Sequence, residues 1–402
     1  MTTFELSPRA GSEPADNNRL PYKVWVGEGG GQDAREVNTR VAPAPRTWGP
    51  GMDAPTPLAS LNWNVSDIRD FIRRLPKAEL HLHLEGTILP STLVELSARH
   101  DARPIALPQA EALYRFTDFT GFIESFRAVT RLLTAPDDYE LAAWRMAQQL
   151  AAQGIVHAEV FISVGVIYMW RNHDPDCFEP IFAGLERARE CAARELGLSL
   201  YWIFDAVRHF SLGEAERVFL KAAEMRLLYP SIVAIGLGGD ERLAASKPFH
   251  DLFSHARAAG LRLTNHAGET TGPDAIWEAL SIGSERIGHA VSAIRDPALL
   301  NELKTRRTPL ELNPTSNVRT GVCPCFAGHP LRSYFDQGLL VTLNSDDPAF
   351  FASDLANEFL LAHTQQNFTR EELRQLAANS IRASFLPEYE KLAWIARILA
   401  TE

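Results

Sequence analysis

The feature that most constrains this chain is an alternation, repeated eight times, of short apolar runs with longer amphipathic stretches. The stretch 135–153 is typical of the longer kind, because Pro136 stands near its start, Gly154 follows its end and apolar residues recur inside it at helical spacing. The short runs are predicted to be strands: Ala78–Leu84, Ile155–Ile162, Leu200–Val207, Ile232–Leu237, Leu261–His266, Arg286–His289, Pro309–Leu312 and Leu340–Asn344.

This alternation predicts an α/β fold, a (β/α)8 barrel of the TIM type. Alternating strands and helices build parallel sheets. Eight such units, with strands buried on both faces, favour a closed barrel over an open doubly wound sheet. No Gly-x-Gly-x-x-Gly motif follows the first strand, so the usual signature of a dinucleotide-binding sheet is missing. Barrels of this type carry their reactive residues at the carboxyl ends of the strands, and polar residues there become the candidates for chemistry.

Residues 1–64 do not share this regularity. They are rich in glycine and proline, as in Gly29–Gly31 and Pro43–Pro45, and show no sustained apolar period. They are predicted to form an irregular N-terminal extension, and residues 65–402 the barrel domain. Ser66 is predicted to cap a first short helix, 67–74, which ends before Pro76.

Charge and composition exclude several classes of partner. The formal net charge is −10 and the isoelectric point is near 5.7, whereas binding to nucleic acid normally depends on clustered Lys and Arg. No run of about 18 apolar residues marks a membrane span, and the first residues do not resemble a signal peptide. The four cysteines are too few for a disulfide framework. We expect a cytoplasmic protein with reduced thiols that acts on a small, diffusible molecule.

Three histidines and one aspartate stand at the predicted strand ends. His81 and His83 end the first strand and share one face, His266 ends the fifth, and Asp346 follows the eighth. Each motif alone is also compatible with a cap or a turn, above all the Asp-Asp-Pro sequence after the eighth strand. Their common position at one rim is hard to explain as packing. Three nitrogens and one oxygen suit zinc and leave room for a water molecule.

Further polar residues at this rim complete a hydrolytic site. Glu269 follows His266 closely enough to donate a proton beside the metal, and His289, which ends the sixth strand, can orient a hydroxide and balance its charge. Asp347 points to the other side from Asp346 and is predicted to bind substrate. The fourth strand contains no lysine that carboxylation could turn into a bridge between two metals. We therefore expect one Zn²⁺ per chain.

Six stretches together resemble the adenosine deaminase family, and the resemblance covers about residues 70–390. They are Pro76–Gly86, Gly239–Glu241, His266–Glu269, Arg286–His289, Thr315–Asn317 and Asn344–Pro348. The resemblance implies a zinc-dependent hydrolase that replaces the 6-amino group of an adenine nucleoside by oxygen and releases ammonia. It also implies that the zinc ligands are His81, His83, His266 and Asp346.

The same resemblance implies roles for the remaining site residues. Glu269 protonates purine N1, and His289 assists the hydroxide that attacks C6. For substrate binding it implies a hydrogen bond from Asp347 to N7, one from the backbone N–H of Gly239 to N3, a contact of Glu85 with the sugar or its replacement, and an apolar lid that includes Phe119.

The subgroup stays open at this point. Parts of the chain resemble adenosine deaminases, others resemble the bacterial aminodeoxyfutalosine deaminases, and the segments around Glu85 and Asp346 also resemble adenine deaminases that act on the free base. A barrel that binds purines without catalysis is a third alternative. Ala290 and Asn313 depart from the glycine and cysteine common in the family, which bears on the fit of the substrate. The oligomeric state is not predicted.

Two other motifs are rejected. His157-Ala158-Glu159 resembles the His-x-Glu of deaminases that act on polynucleotides, but that chemistry also needs Pro-Cys-x-x-Cys, which is missing here. Cys323 and Cys325 alone do not complete a tetrahedral metal site. Most of the histidines outside the predicted site are assigned surface or helix-cap roles.

Overall fold

The computed structural model describes residues 64–116 and 119–402, and their side chains from Asp67 onward except those of Phe119 and Thr120. Apart from Asn64, the predicted extension 1–64 lies outside the described residues. The described part contains eight strands, and each joins the next in a parallel ladder. They are β1 (Lys77–His83), β2 (Ile155–Ile162), β3 (Ser199–Val207), β4 (Ile232–Gly238), β5 (Arg262–Ala267), β6 (Arg286–His289), β7 (Leu310–Leu312) and β8 (Val341–Leu343).

Helices cover the outside of this sheet. The α-helices of the described residues are α1 (Asn64–Arg74), α2 (Pro90–His100), α3 (Leu107–Leu113), α4 (Phe119–Thr130), α5 (Pro136–Ala152), α6 (Val164–Trp170), α7 (Phe178–Leu196), α8 (Leu212–Arg226), α9 (His250–Ala258), α10 (Pro273–Ser281), α11 (Pro297–Arg306), α12 (Pro314–Arg319), α13 (Leu331–Asp336), α14 (Pro348–Phe351), α15 (Leu355–Gln366), α16 (Arg370–Ala383) and α17 (Glu388–Leu399).

The strand order β1 to β8 and the helices between the strands confirm the predicted (β/α)8 barrel. Between β8 and β1 the sheet is nearly closed. Leu82 bridges to Asp346, the His83 N–H donates to the Asp346 carbonyl at 3.0 Å, and the Asp346 N–H donates to the His81 carbonyl at 3.1 Å. Asp346 therefore lies at the seam of the barrel, at the carboxyl ends of the strands.

Each predicted strand has a counterpart whose ends agree within one residue. The predicted start of the first helix after Ser66 is wrong, because the helix begins at Asn64. Apolar spacing marks the buried face of a helix more sharply than its first residue, and this explains the shift. The predicted helix 135–153 is observed as α5.

The apolar core has two parts. The larger part lies between the strands and the helices, and a smaller cluster on β2, β3 and β4 comprises Phe161, Ile203, Val233 and Ala234. The four cysteines are free thiols. None of the helices in the described residues combines the length and the apolar character that crossing a bilayer requires.

Candidate active site

The four predicted metal ligands converge at the mouth of the barrel. His83 Nε2 lies 3.3 Å from His266 Nε2 and 3.4 Å from Asp346 Oδ1, and His81 Nε2 lies 3.5 Å from the same Asp346 oxygen. The elements that carry them are β1, β5 and the turn after β8. Residues far apart in the sequence thus place three imidazole nitrogens and one carboxylate oxygen around a single point.

The spacing of these atoms fits a metal ion. Ligands at about 2.0–2.2 Å from a tetrahedral ion are separated by roughly 3.3–3.6 Å, close to the separations observed. His81 Nε2 is buried and has no hydrogen-bond partner among the described residues, as expected for an atom whose lone pair is reserved for a ligand. The set His81, His83 and Asp346 and the set His81, His266 and His289 each place three donor atoms within 4.8 Å of one another.

Neighbouring residues orient the donors. His81 Nδ1 lies 2.8 Å from Glu311 Oε2, so this nitrogen carries the proton and Nε2 faces the site. Arg286 Nε lies 2.6 Å from the other oxygen of Glu311, and this ion pair is buried. Ser316 Oγ donates to Asp346 Oδ2 at 2.6 Å, which leaves Oδ1 turned toward the imidazoles.

Electrostatics acts differently on the individual donors. Burial lowers the pKa of His81, but the carboxylates of Asp346 and Glu311 outweigh burial and raise it to about 10, a shift that a bound cation would oppose. Burial disfavours the imidazolium form, so the pKa of His83 falls to about 3 and that of His266 falls well below its usual value. Burial opposes ionisation of Asp346 as well. The charges of the neighbouring imidazoles outweigh burial and hold the pKa of Asp346 well below its usual range.

Glu269 and His289 lie beside the donor atoms. Glu269 Oε2 is 3.7 Å from His289 Nε2. Burial, together with the charge of Asp346, raises the pKa of the Glu269 carboxyl to about 8, so it carries a proton at neutral pH. Glu241 fixes the segment that bears Glu269, because its carboxylate accepts the backbone N–H of Gly268 at 2.7 Å and of Glu269 at 2.9 Å.

The predicted substrate contacts gather around the same mouth, with one exception. Asp347 is buried, and burial followed by the charge of Asp346 raises its pKa well above the usual value. A methyl group at Gly86 would lie 2.2 Å from Asp347 Oδ1, so only glycine allows the backbone next to Glu85 to lie this close to Asp347. Gly239 follows the end of β4 with φ +90°. Phe119 begins α4, and its side chain lies outside the described residues.

The sequence analysis did not predict several residues that lie at this site. Asp205, near the end of β3, has a buried Oδ1 atom without a partner among the described residues. Arg208 donates to the carbonyl of His266 at 2.6 Å and to Asn265 Oδ1 at 3.0 Å. The Asp205–His209 segment carries these groups at a strand end, a signal that could have found them. Glu311 gave no such signal, because it lies inside β7.

Two of the remaining histidines, most of which were assigned surface or cap roles, are buried instead. They are His157 and His329. His157 Nε2 lies 3.2 Å from Glu159 Oε1, and His329 hydrogen-bonds Asn317. Both lie in loops or strands whose burial depends on tertiary packing, which a single histidine in a sequence does not reveal.

A cavity of about 1090 Å³ lies away from this site, between α1, α5 and α15, with Arg69, Gln149 and Asp354 in its wall. None of the four convergent donors lines it. The volume of a cavity says nothing about reactivity, whereas the barrel mouth combines donor atoms with an acid of raised pKa. We therefore locate the chemistry at the mouth.

Comparison with known proteins identifies the family of this chain. The sequence pattern of one protein family, described as adenosine deaminase, matches residues 76–401. The chain belongs to the adenosine deaminase family. Relatives in this family are named deaminases, and this chain is a hydrolase that acts on a C–N bond by deamination.

Two relatives and one solved structure match this chain over most of their length. Aminodeoxyfutalosine deaminase of Streptomyces avermitilis is 40% identical over 335 residues, which cover 83% of this chain and 92% of that protein. Adenine deaminase of Wolinella succinogenes is 33% identical over 338 residues, or 83% of this chain and 99% of that protein. A zinc-bound amidohydrolase from Burkholderia ambifaria matches with a TM-score of 0.74 and 27% identity, and covers 82% and 91% of the two chains.

Proposed function

We propose that this protein is a zinc-dependent hydrolase, with one zinc ion per chain, that converts an adenine nucleoside to its 6-oxo product and ammonia. The observation that carries this proposal is the convergence of His81, His83, His266 and Asp346 beside the protonated acid Glu269. Adenosine and 6-amino-6-deoxyfutalosine are the two nucleosides that fit, since both present the same aminopurine.

The donor set matches zinc in number and chemistry. Three imidazoles and one carboxylate are ligands that zinc accepts, and the solved relative from Burkholderia ambifaria holds that metal. When bound, zinc supplies hydroxide at neutral pH, because it lowers the pKa of water to about 7. A lone site without a bridging group supports one ion.

The residues around the metal perform the remaining steps. Glu269, protonated at neutral pH, donates its proton to purine N1, which makes C6 more electrophilic. His289 orients the oxygen that attacks C6 and balances its charge. The C6–O bond forms, the hydrogen of the attacking hydroxyl passes to the amino nitrogen, and the C6–N bond then breaks, so that ammonia leaves and the 6-oxo product remains. Asp347, whose raised pKa favours the protonated form, donates a hydrogen bond to N7, and the Gly239 N–H donates one to N3.

Two buried oxygens favour a nucleoside over a free base. Glu85 Oε2 and Asp205 Oδ1 are buried and have no hydrogen-bond partner among the described residues. Burial raises the pKa of Asp205 to about 7, the charge of His81 opposes this rise, and the charge of Glu85 adds to it, which indicates that the two carboxyls are close. Sugar hydroxyls are donors that can satisfy these acceptors, whereas adenine offers only its ring N–H besides the 6-amino group at the reacting carbon. The relative at 40% identity is named for a nucleoside-like substrate.

Two alternatives make different predictions. Adenine deaminase, the name of several relatives near 33% identity, would use the same zinc site on the free base. A barrel that binds purines without turnover would have no need for an acid beside a metal site.

A substrate panel tests the proposal. Zinc-loaded enzyme is mixed with adenine, adenosine, deoxyadenosine, methylthioadenosine and aminodeoxyfutalosine, and deamination is followed by ultraviolet absorbance and ammonia release. We expect turnover of a nucleoside with kcat/KM well above that for adenine. Turnover of adenine alone would identify the free-base enzyme, and binding of purines without ammonia release would overturn catalysis altogether.

A further inference from the structure

A chain of hydrogen bonds reaches His289 from the far side of the site. It starts at the backbone N–H of Leu331, which is 3.2 Å from His329 Nδ1. A backbone N–H can only donate, so His329 Nδ1 accepts and carries no proton. Neutral His329 must then carry its proton on Nε2. Burial lowers the pKa of His329 to about 3, which keeps the ring neutral.

The direction of the next bond follows from the first. His329 Nε2 lies 3.1 Å from Asn317 Oδ1, and since this nitrogen donates, the amide oxygen of Asn317 faces it. The amide nitrogen of Asn317 therefore points the other way, where it lies 3.0 Å from His289 Nδ1. Asn313 Nδ2 approaches the same atom at 3.3 Å. Two amide donors thus face His289 Nδ1.

We propose that Asn317 and His329 are positioning residues that hold His289 as the tautomer protonated on Nε2. Nδ1 is occupied as an acceptor, so the proton of the neutral imidazole lies on the nitrogen that faces Glu269 and the metal donors. His289 then presents a hydrogen-bond donor to the oxygen that attacks C6. This inference rests on the proposed function, and it defines how His289 serves that function.

The tautomer also decides between the two sets of convergent donors. His81, His266 and His289 lie close enough to share an ion, as do His81, His83 and Asp346. A metal ligand must offer a lone pair, and a protonated Nε2 has none. His289 is therefore excluded as a ligand through Nε2, whereas its donor proton is directed at the position beside the metal.

The surroundings of this chain are built to keep its direction. Asn317, Asn313, His289 and His329 are all buried, so water does not compete for their bonds. His289 has φ +63°, an uncommon conformation for a residue with a side chain, and it is retained at the point where the imidazole enters the site. Reversal of one amide would break two hydrogen bonds at once and leave their buried polar atoms unpaired.

The tautomer of the wild-type protein is the first test. The imidazole nitrogens are labelled with ¹⁵N and their chemical shifts are measured by long-range correlation, with the His289 signal assigned by its loss from a His289→Asn variant. We expect the shift of a protonated Nε2 and an unprotonated Nδ1. A His289 ring protonated on Nδ1 alone overturns the proposal directly, whatever the activity of the enzyme.

The Asn317→Asp substitution reverses the direction of the hydrogen bond to His289 with almost no change in the shape of the side chain. One carboxylate oxygen still accepts from His329, but the other now faces His289 Nδ1 as an acceptor and draws the proton to that nitrogen. We expect Nδ1 to become protonated in the ¹⁵N spectrum and kcat to fall by about a hundredfold or more, since a wrong imidazole tautomer costs up to about 10⁴ in enzymes that depend on it. Zinc content, measured by metal analysis, is expected to stay at the wild-type value. Unchanged kcat contradicts the proposal.

Asn379→Asp is the matched control. Asn379 is also a buried asparagine, bonded to the Val341 carbonyl at 3.2 Å and remote from His289. It tests whether a new carboxylate in the interior lowers activity by itself. We expect the ¹⁵N shifts of His289 and kcat to match the wild type. An equal loss of kcat in both variants overturns the specific role of Asn317.

Two substitutions of His329 test its hydrogen bond to Asn317. Gln in place of His329 keeps an N–H donor for Asn317, whereas His329→Met removes it and frees the amide to turn. We expect His329→Gln to retain the larger share of kcat and His329→Met to lose more than tenfold, with circular dichroism reporting the fold of both. Equal losses of kcat in the two variants would contradict the proposal that the His329 N–H donor fixes the orientation of the Asn317 amide. If the wild-type enzyme deaminates no purine, the proposed function fails. The ¹⁵N measurement still tests the tautomer of His289, because it does not depend on activity.

Discussion

At the residue scale, two site residues take an uncommon backbone conformation. Asp346 has φ +66° and His289 has φ +63°, and Ala290, after His289, has φ +48°. Residues with side chains pay a free-energy cost in this region, and such residues persist where the surrounding structure imposes them. Both side chains point into the site from the ends of strands. Ala290, where glycine is common in the family, occupies the same kind of backbone without the freedom of glycine.

Glu269 is the residue whose loss is most informative about chemistry. Glu269→Gln keeps the size and a hydrogen bond of the side chain, but it has no proton of suitable acidity to give to N1. We expect kcat to fall by roughly a hundredfold or more while zinc remains bound. Steady-state kinetics and metal analysis of the same preparation check this. Turnover equal to wild type would remove Glu269 from its proposed role.

Asp346 differs from Glu269, because its loss acts on the metal. Asp346→Ala removes an oxygen that faces His81 and His83 at 3.5 and 3.4 Å. We expect zinc to dissociate more readily in competition with a chelator, by at least about tenfold. Ser316→Ala, which removes only the bond to the other oxygen of Asp346, is the control and should weaken zinc less. Full zinc occupancy in Asp346→Ala would contradict the assignment of this ligand.

At the element scale, two glycines end helices in the same way but meet different surroundings. Gly154 follows α5 with φ +76°, and Gly197 follows α7 with φ +64°. A Cβ atom at Gly154 would lie 2.1 Å from the carbonyl oxygen of Arg73, whereas one at Gly197 would meet nothing within 4 Å. Alanine at either site would adopt an unfavourable left-handed conformation. Only at Gly154 would its Cβ atom also clash with the backbone of Arg73.

This pair gives a quantitative prediction. Gly197→Ala is expected to lower the free energy of unfolding by about 1 kcal/mol, the cost of a side chain in this conformation. Gly154→Ala adds a backbone clash of about 1–3 kcal/mol. Both share the same change in the unfolded state, so the difference between them reports the clash. Urea denaturation of the two variants measures it, and equal midpoints would contradict it.

The strands were predictable because their buried residues are apolar and contiguous. Even β7 and β8, three residues each, lie inside predicted runs. The ligands were predictable because histidine pairs and acidic turns at strand ends stand out from such runs. Glu311, Asn317 and His329 were not, because each becomes significant only through a partner distant in sequence. Hydrogen-bond direction is a property of three-dimensional contacts, and no sequence spacing encodes it.

At the scale of the whole molecule, the proposed metal site joins three parts of the barrel. His81 and His83 come from β1, His266 from β5 and Asp346 from the turn after β8. At the mouth, two backbone hydrogen bonds join Asp346 to β1: the His83 N–H donates to the Asp346 carbonyl, and the Asp346 N–H donates to the His81 carbonyl. An ion bound by these residues would therefore link both sides of the seam.

Removal of zinc is expected to lower the thermal stability of the folded chain. A ligand that binds only the native state stabilises it by RT ln(1 + [L]/Kd), about 4 kcal/mol when free zinc is a thousandfold above Kd. The thermal midpoint should fall after dialysis against a chelator and return when zinc is added. In Asp346→Ala, added zinc should raise the midpoint much less, because the donor set across the seam is incomplete. Equal midpoints for the zinc-free and zinc-loaded wild type, or an equal rise in the variant, would show that the metal does not hold the barrel together at this point.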